Sequence, residues 1–374
     1  LVGCLTLAAH PARARQFERA DSIVDSGIRR GIYPGAVLVV GRAAGVLHSR
    51  GFGHRTWGEG PVPSPDSSLW DLASLTKVVG TTGAVMRLVE QGRVDLDAPV
   101  VRYLPRFRGP GKDRVTVRML LDHTSGLRSY LPLYRLAPTR DSAITLLYHE
   151  PLRRPAGARA EYSDLNFLLL GLLVERVTGQ PLDRYVPEAV LAPAGLTRTT
   201  YHPSGPPSLT APTGRYRGTP VCCRVNDQNA ARMGGAAGHA GLFSTGMDLA
   251  RFARLWLDRG RLDGRQVFQS ATVDRFLTPD PAAGDRLLGW ERANPDHRDD
   301  SAYGHLLSPD AFGHTGWTGT LLWIDPDRDL FLVLLTNRAY APRIGRSIRA
   351  LRGVRGALAD AVVRAVDSIP TAPR

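Results

Sequence analysis

Apolar positions along this chain follow two rhythms. At helical spacing, Gln16–Ile32 reads as an amphipathic helix. Two short apolar runs follow, Ala36–Val40 and Val46–Ser49. With Gly41–Gly45 as the turn region between them, they read as a β-hairpin. From Asp71 a second helix is expected, with Val78, Thr82, Val85, Met86 and Val89 on one face and Gly92 as its C-cap. The strongest helical stretch is Asn166–Thr178, closed by Gly179. Gly and Pro crowd residues 202–220 and mark a long surface connection. Thr245 and Asp248 have capping-box spacing for a helix over Met247–Arg259. Two strands, Thr320–Ile324 and Leu330–Thr336, flank the turn Asp325–Asp329. A final helix is expected over Ile344–Val366, with Ile348, Leu351, Leu358 and Val362 as its apolar face.

Strands thus gather at both ends of the chain, and helical material fills the middle. The fold class expected is mixed α/β (α+β): an antiparallel sheet built from both chain ends, flanked by helices, with an inserted and mostly helical domain. The expected division assigns residues 17–80 and 226–374 to the sheet domain and 81–225 to the insertion. A cleft between the two parts is the natural place for a site. The 374-residue length suits two domains, or one with an insertion. The longest strongly apolar run, Phe167–Val174, is far short of the roughly 20 residues that span a bilayer, which excludes a polytopic membrane protein. No period of a solenoid or propeller is present.

Charge changes this picture less than its size suggests. The net charge is +13, yet of 48 basic residues only Lys77 and Lys112 are lysines; the other 46 are arginines. They are spread along the whole chain without a nucleic-acid motif, so a nucleic-acid partner is discounted. A basic surface does suit an anionic envelope. The scarcity of lysine draws attention to Lys77, because a lysine can surrender its proton when its surroundings lower its pKa and an arginine cannot. The opening residues 1–9 are apolar and Ala12-Arg13-Ala14 fits a small-x-small cleavage site, so residues 1–14 are expected to be the remnant of a secretory signal. Leu1-Val2-Gly3-Cys4 also fits a lipid attachment signal through Cys4. A periplasmic or secreted location follows as an expectation. The neighbours Cys222 and Cys223 are not expected to bridge, because the geometry is strained. No Cys/His spacing for a structural zinc and no disulfide framework is present.

Three short stretches carry candidate chemistry. In Ser74-Leu75-Thr76-Lys77 the serine and lysine share one helix face. At a helix start, the Ser74 N–H is free to bind an oxyanion. A partly desolvated, neutral Lys77 is then suited to take the serine proton. In Tyr162-Ser163-Asp164 the phenol, with its pKa lowered by a nearby ammonium, is a candidate base or proton relay. Ser163 or Asp164 is a candidate helix cap. In His314-Thr315-Gly316-Trp317, a small residue at Gly316 admits substrate to the strand edge, and the Trp317 N–H offers a second oxyanion donor. No GxSxG elbow occurs, which argues against an α/β-hydrolase. His123 is read as structural; His239 and Asn226–Asn229 are read as bordering the cleft at most.

In this order, Ser-x-x-Lys, Tyr-x-Asp and His-Thr-Gly resemble the serine β-lactamase and penicillin-binding-protein superfamily, nearest its class C-like branch, over about residues 17–366. Pro34-Gly35-Ala36-Val37, the stretch 120–127 ending His123-Thr124-Ser125-Gly126-Leu127, Asn166–Gly171, Gly238–Thr245 and the last strand pair from Leu322 to Arg338 support it. The resemblance implies an acyl-serine mechanism: Ser74 as nucleophile, Lys77 and Tyr162 sharing acid–base work, and the N–H groups of Ser74 and Trp317 as oxyanion hole. It places His314, Thr315 and Gly316, with Asp164, on the substrate side. It implies no metal or organic cofactor. It implies small-molecule or peptidoglycan-derived substrates: cell-wall D-amino-acid peptides, small esters or β-lactams; a monomer is the expected state. Two departures stand out. Asp164 occupies a position usually held by Asn, which favours a protonated Lys77 if the two are close. His314 stands where most β-lactamases have Lys, and a largely uncharged His holds a carboxylate less firmly. Arg343 is a candidate for that missing charge. The alternative reading is a non-catalytic penicillin-binding or sensing relative.

Overall fold

The computed structural model describes residues 15–216, 219–294, 302–340 and 348–369. The expectations placed on residues 1–14, on Arg343 and on the start of the last helix at Ile344 lie outside them. Helix α1 (Glu18–Arg29) leads into the hairpin β1 (Gly35–Arg42) and β2 (Gly45–Gly53). A short strand β3 (Trp70–Asp71) precedes a π-helical stretch, Lys77–Thr82, which continues as α2 (Gly83–Glu90). Then come α3 (Asp164–Thr178), β4 (Phe243–Ser244) and α4 (Gly246–Leu257). The chain closes with β5 (Glu291–Arg292), β6 (Phe312–Thr315), β7 (Leu321–Asp325), β8 (Leu330–Thr336) and α5 (Ile348–Asp367).

The main sheet has the order β2-β1-β8-β7-β6-β5 and is antiparallel throughout. Its strands come from the two ends of the chain, as the strand pattern predicts. Register places Val37 opposite Leu335 and Leu38 opposite Leu334. Both faces are covered, so β1 reads as apolar at successive positions rather than alternating. Ala36, Leu38 and Val40 share a core with Phe17, Val24, Leu351 and Leu358 of the α1 and α5 side. Val37 and Val39 share the other core with Leu249 and Ala253 of α4. Helix α3 is the apolar centrepiece of the second core, with Leu165–Val174 all buried. Gly179 ends it in a left-handed conformation (φ 72°), one that glycine adopts without strain. Thr245 caps α4 by accepting from the Asp248 N–H at 3.2 Å, as its spacing predicts.

Three local expectations fail. Asp71 does not start a helix; it pairs with Phe243 in β3 and β4, and the helical winding begins only beyond Ser74. Ser163 does not cap α3, because its hydroxyl donates instead to the Arg128 carbonyl at 2.6 Å. Cys222 and Cys223 are joined as a vicinal disulfide, against the expectation that neighbours do not bridge.

Candidate active site

Ser74 sits where the loop leaving β3 turns into the helix, and that loop is held from several sides. Asp71 Oδ1 accepts the Ala73 N–H at 2.8 Å, and its Oδ2 accepts the Asn226 N–H at 2.6 Å. The hydroxyls of Thr318 and Thr320 donate to the Asp71 and Leu72 carbonyls at 2.7 and 3.0 Å. Ala73 carries a strained positive φ of 46° just before Ser74. A Cβ at Gly316 would lie 2.6 Å from the Leu72 carbonyl oxygen and 3.3 Å from the Ala73 Cβ. A side chain at Gly316 would therefore collide where the strand end and the serine loop touch. The Ser74 and Trp317 N–H groups have no acceptor among the described residues.

Asp71 is buried, and burial pushes its carboxyl up to about 6 even though the two accepted N–H bonds pull it down. An unfolded Asp titrates near 4, so between about pH 4 and 6 the folded protein keeps a proton that the unfolded chain has lost. Stability from this group is thus full below that window and falls as pH rises through it, by at most about 1.4 kcal/mol per pH unit. Asp71→Asn is expected to remove that slope. Urea midpoints of both proteins across the window check it, and parallel curves would refute it.

Ser74, Lys77, Tyr162 and Asp164 meet within hydrogen-bonding distance. Lys77 Nζ donates to Ser74 Oγ at 2.9 Å, to Asp164 Oδ1 at 2.7 Å and to the His239 carbonyl at 3.3 Å. The Tyr162 hydroxyl donates to Ser74 Oγ at 2.9 Å. Lys77 is fully buried, and the Asp164 side chain is 19% exposed. Burial works to lower the Lys77 ammonium, but Asp164 and Tyr162 outweigh it, so its pKa is raised. The neutral lysine expected from desolvation alone is not the resting form. Nor is the Tyr162 phenol lowered: burial raises it, and the pull of Lys77 offsets only part of that.

The Tyr162 ring is flanked by His123, centroids 4.8 Å apart, and His314, 5.8 Å apart. His123 Nδ1 accepts the Ser163 N–H at 3.1 Å and lies 3.3 Å from Asn166 Nδ2. That network fits the structural role expected of it. His314 Nδ1 bonds the Thr315 carbonyl at 2.8 Å, leaving its buried Nε2 without a partner. Desolvation, then the nearby Lys77 and Arg286 charges, hold His314 well below the usual imidazole value, so it is neutral. His239 lies under the site rather than along it: its carbonyl meets Lys77 and its Nε2 meets Asp227 Oδ1 at 3.0 Å. Asp227 also caps the short helix Gln228–Arg232, through the Ala230 N–H.

Sequence reasoning missed two features. The Arg286 guanidinium stands 5.3 Å over the Tyr162 ring and is only 20% exposed. One arginine among 46 carried no signal of this. The other is Tyr130, 43% exposed beside the site; Trp317, already named for its N–H, also carries an indole that is 61% exposed there. Trp317 follows Gly316; Tyr130 follows Ser129, whose carbonyl accepts the Asp164 N–H.

Comparison with known proteins adds to this geometry. The family described as Beta-lactamase matches residues 20–355. A Bacillus subtilis (strain 168) protein named N-acetylmuramyl-L-alanine amidase is 33% identical, over 88% of this chain and 82% of that one. A Salmonella schwarzengrund protein named putative D-alanyl-D-alanine carboxypeptidase is 30% identical, over 88% of this chain and 84% of that one. Among solved structures, EstCE1, a hydrolase with promiscuous acyltransferase activity, superposes with a TM-score of 0.76 at 21% identity, covering 95% of this chain and all of that one.

Proposed function

Because the chain belongs to the Beta-lactamase family and is a serine hydrolase of that kind, we propose that it cleaves amide or ester bonds through an acyl-serine intermediate, with Ser74 as nucleophile. The observation that carries this is the convergence of Lys77 Nζ and the Tyr162 hydroxyl on Ser74 Oγ, each at 2.9 Å. Ser74 Oγ attacks the substrate carbonyl, and its proton passes to the Lys77–Asp164 pair. Lys77 is already protonated, so it takes a proton only as it hands one to Asp164 across their 2.7 Å contact; the two act as one acid–base unit. Tyr162 protonates the leaving group and regains its proton from Lys77. The carbonyl oxygen, negative in the tetrahedral state, lies between the Ser74 and Trp317 N–H groups. Water then attacks the acyl-serine, and the protons return by the same route.

For substrate we propose a D-amino-acid peptide or related amide of the cell wall, as the names of the relatives suggest. Export, expected from the opening residues, would bring the protein to it. His314 is neutral, so we assign a substrate carboxylate to Arg286, which stands over the Tyr162 ring and also pairs with Glu291 Oε2 at 3.5 Å. Arg286→Ala is expected to raise KM for a D-alanyl-D-alanine peptide between about tenfold and a hundredfold, the value of a hydrogen bond to a charge. It should leave KM for an uncharged ester within about twofold. Equal losses on both substrates would remove Arg286 from carboxylate recognition.

The protonated Lys77 also favours a second reading, in which Ser74 is acylated but released slowly, as in a penicillin-binding sensor. Intact mass after mixing with benzylpenicillin separates the two. An adduct that decays as drug is consumed marks a hydrolase, and a lasting adduct marks the sensor. If benzylpenicillin, D-alanyl-D-alanine peptides and p-nitrophenyl esters are all left unconsumed and none modifies the protein, the acyl-serine reading fails.

A further inference from the structure

Arg355 lies on α5, on the far side of the sheet from the helix that carries Lys77. It is 2% exposed. One of its nitrogens, Nη2, donates to the carbonyls of Gly316 and Thr320, each at 2.8 Å, and among the described residues no carboxylate pairs with it. Its Nε is buried without a partner. Burial pushes the guanidinium down to about 9, which leaves it charged at neutral pH. The Glu291 charge acts on it only from beyond ion-pair distance, and a buried cation without a contacting carboxylate costs stability. Its account must lie in the two carbonyls it touches.

Both belong to the turn between β6 and β7. The Gly316 carbonyl and the Trp317 N–H are opposite ends of one peptide group, and resonance couples them. A cation at the oxygen draws density from the nitrogen and makes the N–H a stronger donor, as in any polarised hydrogen-bond chain. The Trp317 N–H, like that of Ser74, faces no acceptor among the described residues. We propose that Arg355 is a positioning residue that strengthens the Trp317 N–H as an oxyanion donor by polarising the Gly316–Trp317 peptide. It works through the peptide and touches no substrate. The inference rests on the acyl-serine reading above.

Other bonds hold the same turn. The Gly319 N–H donates to the Gly316 carbonyl at 3.0 Å, and the Gly316 N–H donates to the Thr320 carbonyl at 2.8 Å. Arg338 Nη2 donates to the Trp317 carbonyl at 2.9 Å. That carbonyl belongs to the next peptide group, whose N–H is Thr318's. Arg338 therefore steadies the turn without acting on the Trp317 N–H, while Arg355 does both. Loss of a whole oxyanion donor slows catalysis by about 10²–10³. Polarisation contributes a few tenths of such a bond, so losing it should slow turnover between about threefold and tenfold.

The test uses the full chain with p-nitrophenyl acetate as substrate and phenylboronic acid as a tetrahedral mimic. In Arg355→Gln, kcat should fall and the boronic acid Ki should rise by the same factor, between about threefold and tenfold, with KM within about twofold. Arg355→Lys, which keeps the charge but not the double contact, should lie between. A merely structural role would move KM and thermal midpoint together with kcat and leave Ki behind; that pattern overturns the proposal, as does an unchanged Ki. Should the Gln variant not fold, the Lys variant decides on the same readings. A wild type that neither turns over the ester nor binds the boronic acid would sink the acyl-serine reading and this inference with it. An active wild type with indifferent variants sinks this inference alone.

Discussion

Ser74→Ala is expected to lower kcat by about 10⁶ and to abolish every covalent adduct, the scale seen when a hydrolase loses its nucleophile. The hydroxyl is the meeting point of the Lys77 and Tyr162 hydrogen bonds. Stability should change by no more than about 1 kcal/mol, because Ser74 is partly open to water, which can replace its oxygen. The pairing of a large kinetic loss with an unmoved unfolding midpoint is what distinguishes a nucleophile from a packing residue. Stopped-flow hydrolysis of a p-nitrophenyl ester, with intact mass beside it, reads both. Residual labelling of the variant would assign the chemistry to another residue.

Lys77→Met should have the next largest effect. It keeps the length of the side chain and removes the proton carrier, for a fall in kcat of about 10⁴, the upper range of acid–base contributions. It also strands the Asp164 carboxylate. That carboxylate is partly exposed, so the stability loss should be about 2 kcal/mol, below the cost of breaking a wholly buried pair. Asp164→Asn works in the opposite sense. With the carboxylate gone, the burial that already works to lower the Lys77 ammonium meets less opposition, and its pKa falls. In the wild type the raised pKa keeps Lys77 protonated up to alkaline pH, and the stabilisation by the pair fades only as pH rises through that raised value. In the wild type the proton is handed on to the Asp164 carboxylate, whereas in Asp164→Asn the base is Lys77 alone, which acts only after losing its own proton, so the acid limb of the pH–rate profile should move to higher pH. A limb that stays in place would show that the Lys77–Asp164 pair is not the base.

Much of this was legible in the chain. The helix ending at Gly179, the capped start of α4, the hairpin at Gly35–Gly53 and the last strand pair all follow from spacing within a few residues. That is the range over which backbone geometry and side-chain periodicity act. Ser74 and Lys77 are three residues apart on a helical start, so their meeting was also a local matter. Asp71 was misplaced in a helix because its partners, Phe243 and Asn226, lie far along the chain and pull it into extended pairing.

Protonation states were not legible, since they depend on burial and on which charge arrives. Lys77 would be lowered by burial alone; Asp164, 87 residues away, reverses the sign. Nor did any local signal single out Arg286 or Arg355 from 44 other arginines with the same side chain. The sequence by itself determined which segments become strands and helices, and which residue types the three short motifs contribute. Only the tertiary structure decided which charges are dry, which are paired, and which arginine holds the peptide that carries the Trp317 N–H. The physical reason is range: periodicity is a property of neighbours in the chain, whereas desolvation and Coulomb energy are properties of neighbours in space.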